Sequence, residues 1–448
     1  MPGHKLGRGL PKEITSIIPK LDATEIPGLD NLHHPSGILK EAMELAAKAF
    51  GSHKTFFLVN GSTCGIHAMI SAVLKPVETL LIGRDCHRSA IGGMMLSGVR
   101  PVYIKPGFIK EYGFTAGYSP WDIEKQLIEN PDIKAVFITR PNYYGVCSDI
   151  SAIAEITHRL GRILMVDEAH GAHLKFNERL PVCAMDAGAD ICVQSAHKTL
   201  PAFTQSAYLH VKGEQVDIER LETSLDILQT TSPSYILMAS LDIAREIMEN
   251  EGSQRIDELL ENIEWFEGNL KRTTEFIMVR KNMIEEDLDH TRIVINTRYA
   301  GLTGFETERL LRSDFGVQVE MSDPSNVVLI SAISDTRADF ERLLAAFKGI
   351  SSEKRDKCEE PGMDLYDMPL PEVVVKPGDI LSLKTSWVSI ENSIGKICLD
   401  TITPYPPGIP VVCPGERMTG EIAKAVKAFL KMGGTVLGIQ GDMIKVAK

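Results

Sequence analysis

From residue 55 to about residue 211 the sequence alternates short, uninterrupted apolar runs with segments of helical period. "TFFLVNG" precedes the helix-like "TCGIHAMISAVL", "ETLLIG" precedes "SAIGGMMLSG", and "RPVYIK" precedes "SPWDIEKQLIEN". "IKAVFITRP" and "RILMVDEAHG" flank "SAIAEITHRL", and "ADICVQS" and "SAYLHV" close the series. A strand that is apolar on both sides must be covered on both faces, so this alternation predicts a mostly parallel sheet between two layers of helices. In "SPWDIEKQLIEN", Ser119 is placed to cap a helix, with Pro120 at its first position and Asp122 in its first turn. Ligands of such α/β sheets bind at the carboxyl ends of the strands, where "NGST", "DEAHG" and "SAHK" fall.

Beyond residue 212 the pattern changes. Long amphipathic helices include "QRIDELLENIEWFEGNLKR", and a smaller α/β unit follows with "TRIVINTR", "GFETERLLRSDFG" and "NVVLISAI". "ISSEKRDKCEEPGMDLY" is charged and aperiodic, which marks a connector. The turn-rich final segment carries "TPYPPGIPVVCPGE" and the helix "GEIAKAVKAFLKMG". The expected organisation is a large domain with an N-terminal arm over 1–255, a small α/β domain over 256–350, a linker over 351–366, and a C-terminal α+β domain over 367–448. Three such domains fit a chain of 448 residues.

The formal net charge of −12 argues against nucleic acid as the main partner. No run of 18 apolar residues predicts a membrane span, and "MPGHKLGRGLPKE" lacks the apolar stretch of a signal peptide. Eight cysteines without a CxxC pair predict reduced thiols and a cytoplasmic protein. Adjacent His33 and His34 in "LHHPSG" read as a loop, and no metal site is expected. No GxGxxG follows a strand, and no GxxxxGK[ST] occurs.

"SAHKTLPAFTQSAYLH" poses the chemical question. Lys198 follows Ser195, Ala196 and His197 and is then surrounded by Leu200, Pro201, Ala202 and Phe203. A lysine is rarely buried without a partner, because desolvating an ammonium costs several kcal/mol. Each motif has a bland reading alone: "NGST" as a turn and cap, "VDEAHG" as an acid-capped strand end, His87 as a surface ring, Lys198 as a side chain reaching to solvent. Together they specify pyridoxal-phosphate chemistry. A lysine in an apolar site has a depressed pKa and can form a Schiff base with an aldehyde. Asp167, at a strand end 31 positions before Lys198, can hold a pyridine nitrogen protonated. A helix start preceded by Gly, with Ser62 and Thr63, offers donors to a phosphate. His87 can stack on the ring.

"PGHKLGRG", "EIPGLDNLHHPSG", "FLVNGSTCGIHA", "RDCHRSA", "RPNYYGV", "DEAHGAH", "SAHKTLPAFTQSAYLH", "TTSPSYILMASLD" and "PYPPGIPVVCPGE" resemble the Orn/Lys/Arg decarboxylases, over residues 1 to about 420. These are pyridoxal-phosphate enzymes of fold type I. The resemblance implies that Lys198 is the Schiff-base lysine, Asp167 the pyridine-nitrogen partner and His87 the stacking ring. It gives Ser62, Thr63, Ser195 and His197 to the phosphate side and places His170 near the ring's 3′ oxygen. It also implies a homodimer whose Thr231 or Ser232 reaches the phosphate of a second subunit. Because the chain starts directly at "MPGHK", it is expected to be a short form without the N-terminal wing domain of longer relatives.

The expected reaction is decarboxylation of a basic amino acid, arginine first and then lysine or ornithine, feeding polyamine synthesis. Another fold type I enzyme, an aminotransferase or lyase, is the alternative, and a non-catalytic relative is a third reading. The residues alone do not distinguish decarboxylation from transamination; the resemblance does. Asp30 in "PGLDN" and Glu416 in "PGERM" are expected near the substrate's cationic end.

Overall fold

The computed structural model describes residues 4–5, 7–26, 28–351, 368–405 and 408–448. Of the expected connector, 352–366 lies outside these residues, as do Pro27 of "PGLDN" and Pro406 and Pro407 of "PYPPG". The apolar runs form one sheet of seven strands: β1 (Lys54–Leu58), β2 (Thr79–Gly83), β3 (Arg100–Ile104), β4 (Ile133–Thr139), β5 (Ile163–Asp167), β6 (Ile191–Gln194) and β7 (Ala207–Val211). Their spatial order is β1-β7-β6-β5-β4-β2-β3. Neighbours from β6 through to β3 run parallel, while β7 is antiparallel to both β1 and β6.

Two helical layers explain why these strands are apolar throughout. On one face, α1 (Ile38–Phe50), α4 (Pro120–Glu129) and α5 (Ile150–Arg159) pack with Val136, Ile138, Leu164 and Val166. On the other, α2 (Gly61–Val73), α3 (Arg88–Ser97) and α6 (Ile218–Leu228) pack with Ala135, Phe137, Met165 and Val193. Ser119 accepts from Asp122 N–H at 3.4 Å and begins α4, as its sequence predicts. A side chain at Gly65 would place Cβ 2.6 Å from Leu58 Cδ1 and 2.8 Å from Val193 Cγ2. Glycine there lets the first turns of α2 lie close against the sheet.

Helix α7 (Tyr235–Thr273) is continuous across the expected boundary between 255 and 256. Met238, Leu241, Ala244, Met248, Ile256, Leu259, Ile263, Phe266 and Leu270 keep one buried face along its length. This unbroken apolar stripe carries the helix from the large sheet to the small unit. There a four-stranded sheet has β8 (Ile277–Met278), β9 (Arg292–Asn296), β10 (Met321–Ser322) and β11 (Asn326–Ile330) in the order β8-β9-β11-β10. It is antiparallel throughout, and α8 (Gly304–Phe315) and α9 (Arg337–Ser351) pack beside it. The C-terminal segment builds its own core around α10 (Gly420–Lys431), with Ile390, Ile402, Val412, Phe429, Ile444 and Val446.

Candidate active site

Strand register aligns the ends of β4, β5 and β6. Thr139 stands opposite Asp167, and Asp167 opposite Val193. Side chains alternate along a strand, so Asp167 and Glu168 leave β5 on opposite faces. Glu168 accepts from Gln194 Nε2 at 2.7 Å and Ala184 N–H at 2.9 Å and pairs with Arg140 at 3.5 Å. It is a structural acid. Asp167 instead shares a cleft with Ser62, His87, His170 and Lys198, lined also by Ile66, Thr139, Tyr143 and Ala169.

Lys198 lies on the helical turn Ala196–Thr199 that leaves β6, with Nζ 3.1 Å from His170 Nε2. Burial lowers its pKa; the Asp167 carboxylate opposes that, and the Arg292 cation adds to it. Burial likewise raises the pKa of Asp167, which Lys198 and a 3.1 Å bond from Ala169 N–H oppose. An amine biased toward its neutral form therefore faces a buried acid.

At the other end of the cleft, Ser195 Oγ donates to Ser62 Oγ at 2.8 Å, which joins the turn after β6 to the start of α2. Thr63 follows on that first turn with an exposed side chain. His197 donates from Nδ1 to the Ser206 carbonyl at 3.0 Å. His87 caps α3 by accepting at Nδ1 from Ser89 N–H at 3.3 Å. His87 is exposed, yet the atoms packed around its ring, with Lys198 and Arg88, push its pKa down to about 4. The imidazole is thus uncharged.

Thr231 and Ser232 are exposed in the loop before α7. Neither occupies the N-cap of that helix, which is Ser234. Thr230 N–H donates to Asn60 Oδ1 at 3.2 Å, so the loop is tied to the residue that precedes α2 in the same chain.

Asp30 and Glu416, expected near the substrate's cationic end, are both held by internal donors. The Asp30 carboxylate accepts from the N–H groups of Asn31, Ser36, Gly37, Leu39 and Lys40, and so holds the start of α1. Glu416 is fully buried, pairs with Arg84 at 2.7 Å and accepts from Cys413 N–H at 2.6 Å. Both carboxylates are thus committed to donors within the chain.

Three residues of the site escape the motif reading. Thr139 lines the cleft with a buried Oγ1 that has no hydrogen-bond partner among the described residues. Tyr143, within "RPNYYGV", sets its ring edge against His170 at 5.7 Å. Arg292 donates to His170 Nδ1 at 2.8 Å from β9, 122 positions away. A charge opening the apolar run "RIVIN" was the available signal. The set fits pyridoxal phosphate: an amine biased to be neutral, a buried acid, hydroxyls at a helix start and a flat ring. The orphaned Thr139 hydroxyl is a further polar contact waiting in the same cleft.

A family model described as Orn/Lys/Arg decarboxylase, major domain, matches residues 1–339, and one described as Orn/Lys/Arg decarboxylase, C-terminal domain, matches 365–437. The chain belongs to the Orn/Lys/Arg decarboxylase family. An arginine decarboxylase of Halalkalibacterium halodurans is 34% identical, over 100% of this chain and 93% of its own length. That of Bacillus subtilis is also 34% identical, over 100% and 94%. Lysine decarboxylase A from Pseudomonas aeruginosa superposes with a TM-score of 0.82 at 20% identity, covering 100% of this chain and 78% of that one. The serine palmitoyltransferase of Sphingomonas wittichii superposes with a TM-score of 0.60 at 14% identity, over 77% and 84%. The decarboxylase thus has the fold type I architecture, and pyridoxal phosphate is its cofactor. Among the described residues no helix is long and apolar enough to cross a membrane.

Proposed function

We propose that this decarboxylase converts arginine to its amine and CO2, with lysine and ornithine as poorer substrates, in the cytoplasm and in the service of polyamine synthesis. The observation that carries the reaction is the cleft in which Lys198, His170 and Asp167 meet at the strand ends. Preference for arginine is supported by relatives named arginine decarboxylase at 33–34% identity, against 23–26% for those named lysine decarboxylase.

Lys198, whose burial favours the neutral amine, would meet the cofactor's aldehyde. Ser62, Thr63, Ser195 and His197 would hold the phosphate, and His87 would lie against the ring. Asp167 would keep a proton on the pyridine nitrogen, because a buried carboxylate is most stable beside a cation. Bound there, the cofactor supplies an electron sink for the bond to the departing carboxylate. Lys198 and His87 are the two groups in the cleft that, after taking up a proton from solvent, would deliver it to the carbon that loses the carboxylate. The functional unit is a homodimer in which Thr231 or Ser232 serves the partner's phosphate.

Release of CO2 measured with arginine, lysine and ornithine side by side tests this reading. The highest kcat/KM is expected with arginine. Keto-acid formation without CO2 would make the protein an aminotransferase instead.

A further inference from the structure

Arg292 opens β9, is 2% exposed, and makes one side-chain hydrogen bond among the described residues, from Nη2 to His170 Nδ1 at 2.8 Å. Its backbone is fixed by donation from Arg292 N to Asp289 O at 3.1 Å. Oδ1 of the Asp289 carboxylate is engaged by Thr291 N–H at 2.9 Å, Thr291 Oγ1 at 2.7 Å and His173 Nε2 at 3.2 Å, while Oδ2 makes no hydrogen bond among the described residues, so this carboxylate acts on Arg292 through its charge and not through a bond. The chain makes room for this arginine. A Cβ at Gly145, where φ is +87°, would sit 2.7 Å from Arg292 Cβ. A buried guanidinium is an expensive group to place, so its single bond is informative.

A guanidinium can only donate. The Nδ1 of His170 must therefore be the acceptor, and an imidazolium would set two N–H groups against each other at 2.8 Å. A neutral ring with Nδ1 bare carries its proton on Nε2. That Nε2–H points at Lys198 Nζ, 3.1 Å away, and an ammonium has no lone pair to receive it. The amine must be neutral.

We propose that Arg292 is a positioning residue that fixes the His170 tautomer and through it holds Lys198 as a neutral amine. This rests on the reading of Lys198 as the cofactor's lysine. The charged and titratable groups around Lys198 are Asp167, His170, Arg292 and Glu320, with His87 and His197 nearby. Their balance agrees: burial and the surrounding cations hold His170 well below its ordinary range, and Arg292 also opposes protonation of Lys198.

The test uses apoprotein carrying ring-15N histidine, with the His170 signals assigned by their loss in His170→Gln. Long-range 1H–15N spectra at neutral pH are expected to show Nδ1 bare and Nε2 protonated. In Arg292→Met the ring shifts toward the Nδ1–H form or the imidazolium. The covalent capture of pyridoxal phosphate by the apoprotein, followed by absorbance, then slows at neutral pH and its optimum moves to higher pH. Arg292→Lys, which keeps a donor and a charge, restores the original tautomer at least in part. An imidazolium or Nδ1–H ring in the unaltered protein overturns the proposal, as does an unchanged ring signal in a folded Arg292→Met. If Arg292→Met does not fold, the unaltered protein and Arg292→Lys still decide. A cofactor attached to some other lysine would instead sink the reading of Lys198 and leave the ring assignment standing.

Discussion

Arg84 and Glu416, 332 positions apart in sequence, form a buried two-pronged ion pair, with Nη1–Oε1 at 2.7 Å and Nη2–Oε2 at 2.8 Å. Arg84 also donates to the carbonyls of Pro410 and Val411, at 3.0 and 2.9 Å. It stands three residues before His87. The C-terminal segment therefore clamps the turn that carries His87. Removing one member of a buried pair strands the other, so Glu416→Ala is expected to destabilise the protein by about 3–5 kcal/mol in chemical denaturation. A loss under about 1 kcal/mol together with a raised KM would return Glu416 to the substrate's side.

Asp30 makes a second structural prediction. Partial burial acts to raise its pKa, but the backbone N–H groups it serves outweigh that and hold it at about 2, against an ordinary 3.8. A depressed carboxylate contributes stability that is complete above its unfolded pKa and is lost as pH falls through the folded one. Asp30→Ala is expected to lose about 1 kcal/mol at neutral pH, as other helix caps do. Between pH 3.8 and about 2, the unaltered protein should lose that advantage over Asp30→Asn. Parallel stability curves for the two across this window would show that the charge of Asp30 contributes nothing.

The sheet was legible because each of its strands is covered on both faces, and that demand is written locally as an unbroken apolar run. Lys198 and Asp167 were legible for a related reason: a charge against an apolar run at a strand end has few uses. The internal donors of Asp30 and Glu416 were not legible, because an acid in a turn looks the same in sequence whether water or buried donors surround it. Their partners, the start of α1 and Arg84, emerge only when the chain folds back. Arg292 was hidden by distance, since β9 meets the DEAH turn only through the packing of two domains. The expected boundary at 255 falls within α7, because the apolar stripe of that helix continues past Gly252, where an added Cβ would sit 3.3 Å from Phe176 Cβ.

Asp167→Asn should leave the cofactor bound while turnover falls by several orders of magnitude, because the pyridine nitrogen loses its ionic partner. Cofactor occupancy by absorbance and kcat by CO2 release separate the two effects. Near-normal turnover would remove Asp167 from this role. Glu168 could not inherit it without leaving Arg140, Gln194 and the Ala184 N–H.

Shared sites predict complementation. Lys198→Ala and a variant with Ala at both Thr231 and Ser232 should each be poorly active alone. After subunit exchange, the mixed dimer contains one site with all its residues intact, and activity partly returns. With exchange confirmed by mass, no recovery would confine each site to one chain.

Borohydride reduction of the cofactor-loaded enzyme, followed by peptide mapping, bears most directly on Lys198 as the amine that carries the chemistry. The modified peptide is expected to be the one containing "SAHKTLPAF", with the added mass on Lys198 and none in a folded Lys198→Ala. Label on any other lysine, or undiminished labelling of Lys198→Ala, would contradict the assignment of the site.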